Sequence, residues 1–279
     1  MNKKIITVAL ASAFSSASFA DVSITGSMEQ SYTNTEDGTT AVVSDGKLSF
    51  KAAHDLLNGM SVSTDFNISA KGENDGGNSL TVSGDFGKLD MGDTSSAIDA
   101  IDDFSDWGYV QTTGVSNPDH AIRWTLPSIV PGASVNISHA ADTNPDGNSG
   151  GNSYAVKYGA GPVTVGYGAL DNDDGSEASM YNAVAKFGGF AVGYEVLTKT
   201  TAADVDTDYT AIGASYALGN TEFLYESVVA ESEGSESSNK TAFGVHYKIA
   251  SQLLAFVETS DDSKAQNDRA TSVGLEFKF

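Results

Sequence analysis

An all-β chain closed into a sixteen-stranded antiparallel transmembrane β-barrel is the fold the sequence predicts, on three observations. Segments of about ten residues alternate apolar and polar side chains, as strands do when one face meets lipid and the other meets water. The connections between these segments take turns between short and long. Aromatic residues gather near both kinds of connection, as girdles at two membrane interfaces would.

The chain opens on Met1-Asn2-Lys3-Lys4, a short basic stretch, followed by the mostly apolar residues 5–14 and by Ser18-Phe19-Ala20, which has the small-x-small spacing of a signal-peptidase site. Residues 1–20 therefore read as a signal peptide and residues 21–279 as one barrel domain. A transmembrane helix needs about 20 apolar residues, and Ser12, Ser15, Ser16 and Ser18 break this run. Within a bilayer, only a closed barrel then satisfies every backbone group.

Val22, Ile24 and Met28 fall on one face of the first segment, with Ser23, Thr25, Ser27 and Glu29 on the other. Stretches 154–158, 190–196 and 243–249 repeat the scheme, and a helical period fits none of them. Short connections are expected near residues 57–59, 86–88, 127–132, 159–161, 188–189, 218–220 and 250–251. Long polar ones are expected near 34–44, 71–77, 94–118, 142–152, 171–177, 200–207, 231–239 and 261–268. Seven short and eight long connections join sixteen strands and put both termini on the short-turn, periplasmic side. Segments 80–91, 223–229 and 253–258 are short or apolar on both faces, and loss of one such hairpin would leave fourteen strands.

Phe86, Trp124, Tyr158, Phe187, Phe190, Tyr216, Phe223, Phe277 and Phe279 lie near short turns or the C-terminus, while Tyr32, Tyr154, Tyr181, Tyr209 and Phe243 lie near long loops. A soluble β-sandwich would instead bury its aromatics mid-strand. The net charge of −22 becomes −24 once residues 1–20, with two lysines and no acids, are removed. That surplus disfavours nucleic acid and favours cations in any aqueous path the chain encloses. With no cysteine, disulfides and thiolate metal sites are excluded.

Catalysis finds no footing: His54, His120, His139 and His246 are scattered, and no metalloprotease, nucleophile-elbow or phosphate-loop motif occurs. The chain is expected not to be an enzyme and to need no cofactor. Asp142, Asn144 and Asp146 match the first half of a Ca2+ loop, but Ser153 stands where a bidentate Glu is required. Calcium bracing that loop and a plain solvated turn are both open.

The final strand, Gly274-Leu275-Glu276-Phe277-Lys278-Phe279, ends on a bare Phe. Gly274, Phe277 and Phe279 give a tail that resembles the signal read by the assembly machinery of bacterial outer-membrane barrels. The run Phe86-Gly87-Lys88-Leu89-Asp90-Met91-Gly92, followed by Ser96-Ala97-Ile98-Asp99-Ala100, resembles the hairpin that precedes the constriction loop in general, trimeric Gram-negative porins. The short loops are most similar to those of alphaproteobacterial porins. Two features depart from the enterobacterial pattern: the Pro-Glu-Phe-Gly-Gly motif is absent, and Arg123 and Arg269 are the only arginines.

The resemblance implies a homotrimer in the outer membrane, in contact with lipid and lipopolysaccharide, that passes small hydrophilic solutes and cations by diffusion. It also implies that the third outer loop, residues 94–118, folds into the barrel. A structureless loop of that length is usually functional. It carries Asp99, Asp102, Asp103 and Asp106. One reading leaves these as solvated loop carboxylates; the other sets them against bases on the opposite wall, making a transverse field. Face parity turns Lys47, Lys51 and Arg123 into the lumen, on early strands that in the resembled family lie across from the loop, although each lysine suits a snorkelling girdle position equally. Few lumen bases are expected beyond these. The same barrel would also suit a substrate-selective channel, for which Phe104, Trp107 and Tyr109 form a short aromatic ladder; a secreted β-rich binding protein is the third reading.

Overall fold

A computed structural model describes residues 21–35, 38, 40–73, 76–102, 121–141, 150–232, 234–263 and 269–279. Sixteen strands run in chain order: β1 (Asp21–Thr35), β2 (Thr40–Asp55), β3 (Ser61–Ser69), β4 (Ser79–Gly84), β5 (Gly87–Gly92), β6 (Ala121–Thr125), β7 (Ala133–Ala140) and β8 (Gly151–Ala160). They continue as β9 (Val163–Asn172), β10 (Glu177–Phe187), β11 (Phe190–Thr200), β12 (Asp206–Leu218), β13 (Thr221–Ser232), β14 (Ser238–Ala250), β15 (Leu253–Asp262) and β16 (Ala270–Lys278). Each pairs antiparallel with its neighbour in sequence, and β1 pairs with β16 to close the barrel. Closure at sixteen removes the fourteen-strand alternative.

Register sets which residues face the lipid, because a one-residue slip would turn every side chain to the other face. Val22, Ile24 and Met28 align with Ala52, Phe50 and Gly46, and Phe50 in turn aligns with Phe66 on β3. The Phe50 and Phe66 rings stack at 4.7 Å on this outward surface. Large apolar side chains all around the barrel are solvent-exposed in the isolated chain, as an envelope for hydrocarbon must be.

Aromatic clusters mark both ends of the barrel, stacked at the short-turn end and tilted at the other. Phe190 lies 6.0 Å from Phe187 and 4.2 Å from Tyr216 at the short-turn end, and Tyr167 lies 6.2 Å from Tyr154 and 4.7 Å from Tyr181 toward the long-loop end. Tyr209 leaves the expected girdle: it aligns with Leu197 on the inner face, and Lys199 Nζ sits 5.5 Å from its ring centre.

Two glycines bring rings onto the seam. Gly26 on β1 and Phe279 exchange backbone hydrogen bonds of 2.8 and 2.9 Å. A methyl group on Gly26 would lie 2.6 Å from Phe279 Cζ, so the terminal ring covers the bare glycine. Gly274 does the same inside, where a methyl would lie 2.3 Å from Cζ of the buried Phe256.

Candidate pore constriction

Most of the lumen wall is polar, and the larger of its apolar clusters is where the chain after β5 packs. After β5 the chain turns inward instead of continuing up the barrel. Thr94, Ser96, Ala97 and Ile98 are buried, a single 3-10 turn covers Asp99–Ile101, and Ile98 and Ile101 are 0% exposed. Their partners are Ala155, Ala178, Met180 and Leu197, inward-facing residues of β8, β10 and β11. Burying two isoleucines contributes about 1.5–3 kcal/mol each.

The wall is shaped for this contact. A methyl on Gly168 would lie 2.9 Å from Ile98 Cγ1 and 3.1 Å from its Cα, and one on Gly166 would lie 3.1 Å from Ile101 Cβ. Both glycines stand on β9, where the loop backbone approaches closest. Polar clamps flank the apolar contact. The Ala97 amide donates to Ser138 Oγ at 2.9 Å and Ser153 Oγ at 2.8 Å, and Asn182 Nδ2 donates to the Ile101 carbonyl.

Arg123 holds the base of the loop. It donates to Asp90 Oδ2 at 3.2 Å, to the Ser95 carbonyl at 3.4 Å and to Ser95 Oγ. Lys88 Nζ reaches the same Asp90 oxygen at 2.9 Å, and Thr81 Oγ1 donates to Asp90 Oδ1 at 2.6 Å. Arg123 thus faces the lumen as parity required, but it stands beside the loop and not across from it. Lys47 and Lys51 also face inward, on β2, which lies eight strands from β10 in either direction around the closed barrel and is therefore opposite the loop. Lys51 Nζ lies 3.9 Å from Asp65 Oδ2.

Asp99 and Asp102 lie on the docked stretch and are half-buried. Asp103 and Asp106 fall outside the described residues, as do Asp142, Asn144 and Asp146 of the calcium motif. Among the described residues no group of three or more His, Asp or Glu could hold a metal ion.

The lumen carries more base than sequence reading allowed. All ten Lys and Arg of the strands point inward, including Lys157, Lys186, Lys199, Lys240, Lys248 and Lys278, against twelve inward acids. None is a lipid-facing girdle lysine. Strict alternation was the available signal: each of these bases sits at odd spacing from its strand's lipid-facing set.

Among curated proteins, none matches the chain. A family model described as Gram-negative porin matches residues 7–272. The chain belongs to the Gram-negative porin family. This porin shares its fold with solved structures at low identity. A porin refined at 1.8 Å has a TM-score of 0.77 and 18% identity, covering 93% of this chain and 100% of that one. The trimer form of OmpT from Vibrio cholerae gives 0.79 and 14%, covering 94% and 100%. An anion-selective porin from Comamonas acidovorans gives 0.74 and 14%, covering 93% and 100%. The porin is thus an integral outer-membrane channel protein.

Proposed function

We propose that this porin is a cation-preferring diffusion channel for small hydrophilic solutes, narrowed by the inward loop of residues 94–118. The observation that carries the reading is the burial of Ile98 and Ile101 on the inner wall, which commits the start of the loop to the lumen. Asp99 and Asp102, joined by Asp103 and Asp106 further along, supply negative charge at the narrowing. Lys47 and Lys51 form the opposite basic wall, while Arg123 braces the loop. Fixed acids in a narrow, partly desolvated passage act at low effective dielectric and favour cations.

The working form is a homotrimer, supported by the trimeric OmpT relative and by the apolar outer face of β1–β3. Residues 1–20 serve as the export signal and are removed, and Gly274, Phe277 and Phe279 are read by the barrel assembly machinery. The mature outer surface meets outer-membrane lipid and lipopolysaccharide.

Planar-bilayer recording across a KCl gradient tests the reading. Potassium should permeate better than chloride through an open pore. A reversal potential of the anion-selective sign would overturn the preference, and saturable block by one solute class would favour a substrate-selective channel.

A further inference from the structure

The net charge of this porin is not spread along the pore. Apart from the inward loop of residues 94–118, the segments that join the strands at the outer end carry fourteen acids against three bases, a net −11. Six more strand acids face outward near that same end, on β9, β10, β12, β13 and β15; Asp171, Glu177 and Asp208 are examples. The inner wall, with twelve acids and ten bases, contributes only −2, the inward loop −4, and the periplasmic turns one acid, Asp85. Together these account for the whole −24 of residues 21–279. The barrel wall is itself internally compensated: Lys88 with Asp90, Lys240 with Asp262 at 3.2 Å, Lys278 with Glu276 at 3.0 Å, and His246 with Glu258 at 2.6 Å.

We infer that the channel rectifies: it conducts better when the external side is positive. The inference rests on the diffusion-channel reading but adds an axial asymmetry to it. From the acidic outer mouth to the narrowing cations carry nearly all the current, whereas in the barrel below the narrowing, where the wall is near neutral, cations and anions share it. With the external side positive, cations enter the barrel from the mouth faster than the barrel passes them on. Anions driven outward are halted at the same boundary. Salt accumulates in the barrel and conductance rises. Reversing the field empties the barrel of both ions and conductance falls. Asp171, Asp173, Asp174, Asp204 and Glu236 at this end are solvent-exposed, so the effect depends on ionic strength: the Debye length is about 30 Å at 0.01 M salt and about 3 Å at 1 M.

The test is the current–voltage curve of the purified porin in symmetric KCl. Because the chain has no cysteine, Ser251→Cys in the turn between β14 and β15 can carry a single biotin, and streptavidin added to one chamber reports which end each channel presents. The forward-to-reverse ratio should reach about twofold near 0.01 M KCl and fall to about one at 1 M, following the Debye length. Neutralising the outer acids Asp171, Asp173, Asp174, Asp204 and Glu236 to Asn or Gln should lower the low-salt ratio, and Asp85→Asn should leave it unchanged. A linear curve at low salt, a ratio of opposite sign, or a ratio that ignores salt would overturn the inference while leaving a conducting pore. No conductance at all would instead remove the channel reading on which it stands.

Discussion

Gly168 shows what a single missing side chain controls in this porin. Any side chain there would strike Ile98, and the loop would have to lift from the wall. Gly168→Leu should therefore destabilise docking by about 1–3 kcal/mol and give larger, noisier single-channel conductance with barrel stability unchanged; wild-type conductance would show that the loop does not depend on this contact. Gly26 and Phe279 make a second residue-scale pair. Deleting Phe279 or replacing it by Ser should leave export intact while membrane insertion falls, and normal amounts of heat-modifiable barrel would count against that reading. Gly26→Val keeps the tail whole but removes the place where the ring lies. It should insert and yet lose the barrel form at lower temperature, whereas an unchanged melting profile would make Phe279 a recognition signal alone. The tail was legible as a motif, but its partner Gly26, more than 250 residues earlier in the chain, could be found only through the β1–β16 register.

Among the elements, the loop after β5 and the outer connections make opposite demands on charge. Replacing Asp99, Asp102, Asp103 and Asp106 together by Asn should weaken cation preference markedly at physiological salt. Replacing Asp171, Asp173 and Asp174 should do much less there, since exposed charges are screened beyond about 8 Å. Equal changes in reversal potential would mean that residues 94–118 do not sit in the pore. Strand rhythm was legible because lipid outside and water inside impose alternation. It blurred in β13 and β15 for a physical reason: Leu224, Val228 and Phe256 are apolar yet point inward, where they are buried against the wall. The short β4 and β5 were hard to read because six residues each give few alternations. The lumen bases were missed for a different cause. Charge counted over the whole chain says nothing of position, and only the register separates the compensated wall from the acidic rim.

For the whole molecule, closure leaves β1–β3 with an outer face of Val22, Ile24, Leu48, Phe50, Val62 and Phe66 that meets either lipid or a neighbouring subunit. Phe50→Asp should cost on the order of 2 kcal/mol in either setting and reduce the trimer recovered by cross-linking in native membranes. Monomers alone in the wild type would remove the trimer and leave the barrel intact. Fold class and strand number were carried by pattern, because a bilayer constrains every strand alike. The loop's docking partners were not, since they come from five strands, β7 to β11, that sequence alone does not bring together.

The loop is held largely by hydrocarbon contact and hydrogen bonds, whereas the acids of the outer connections stand open to salt. Sieving at the narrowing and charge attraction at the mouth are therefore governed by different forces in this channel. Moving from dilute to concentrated salt should mute the mouth without changing how large a solute fits, so a bacterium carrying it would keep the same size limit through an osmotic shift that screens its outer acids.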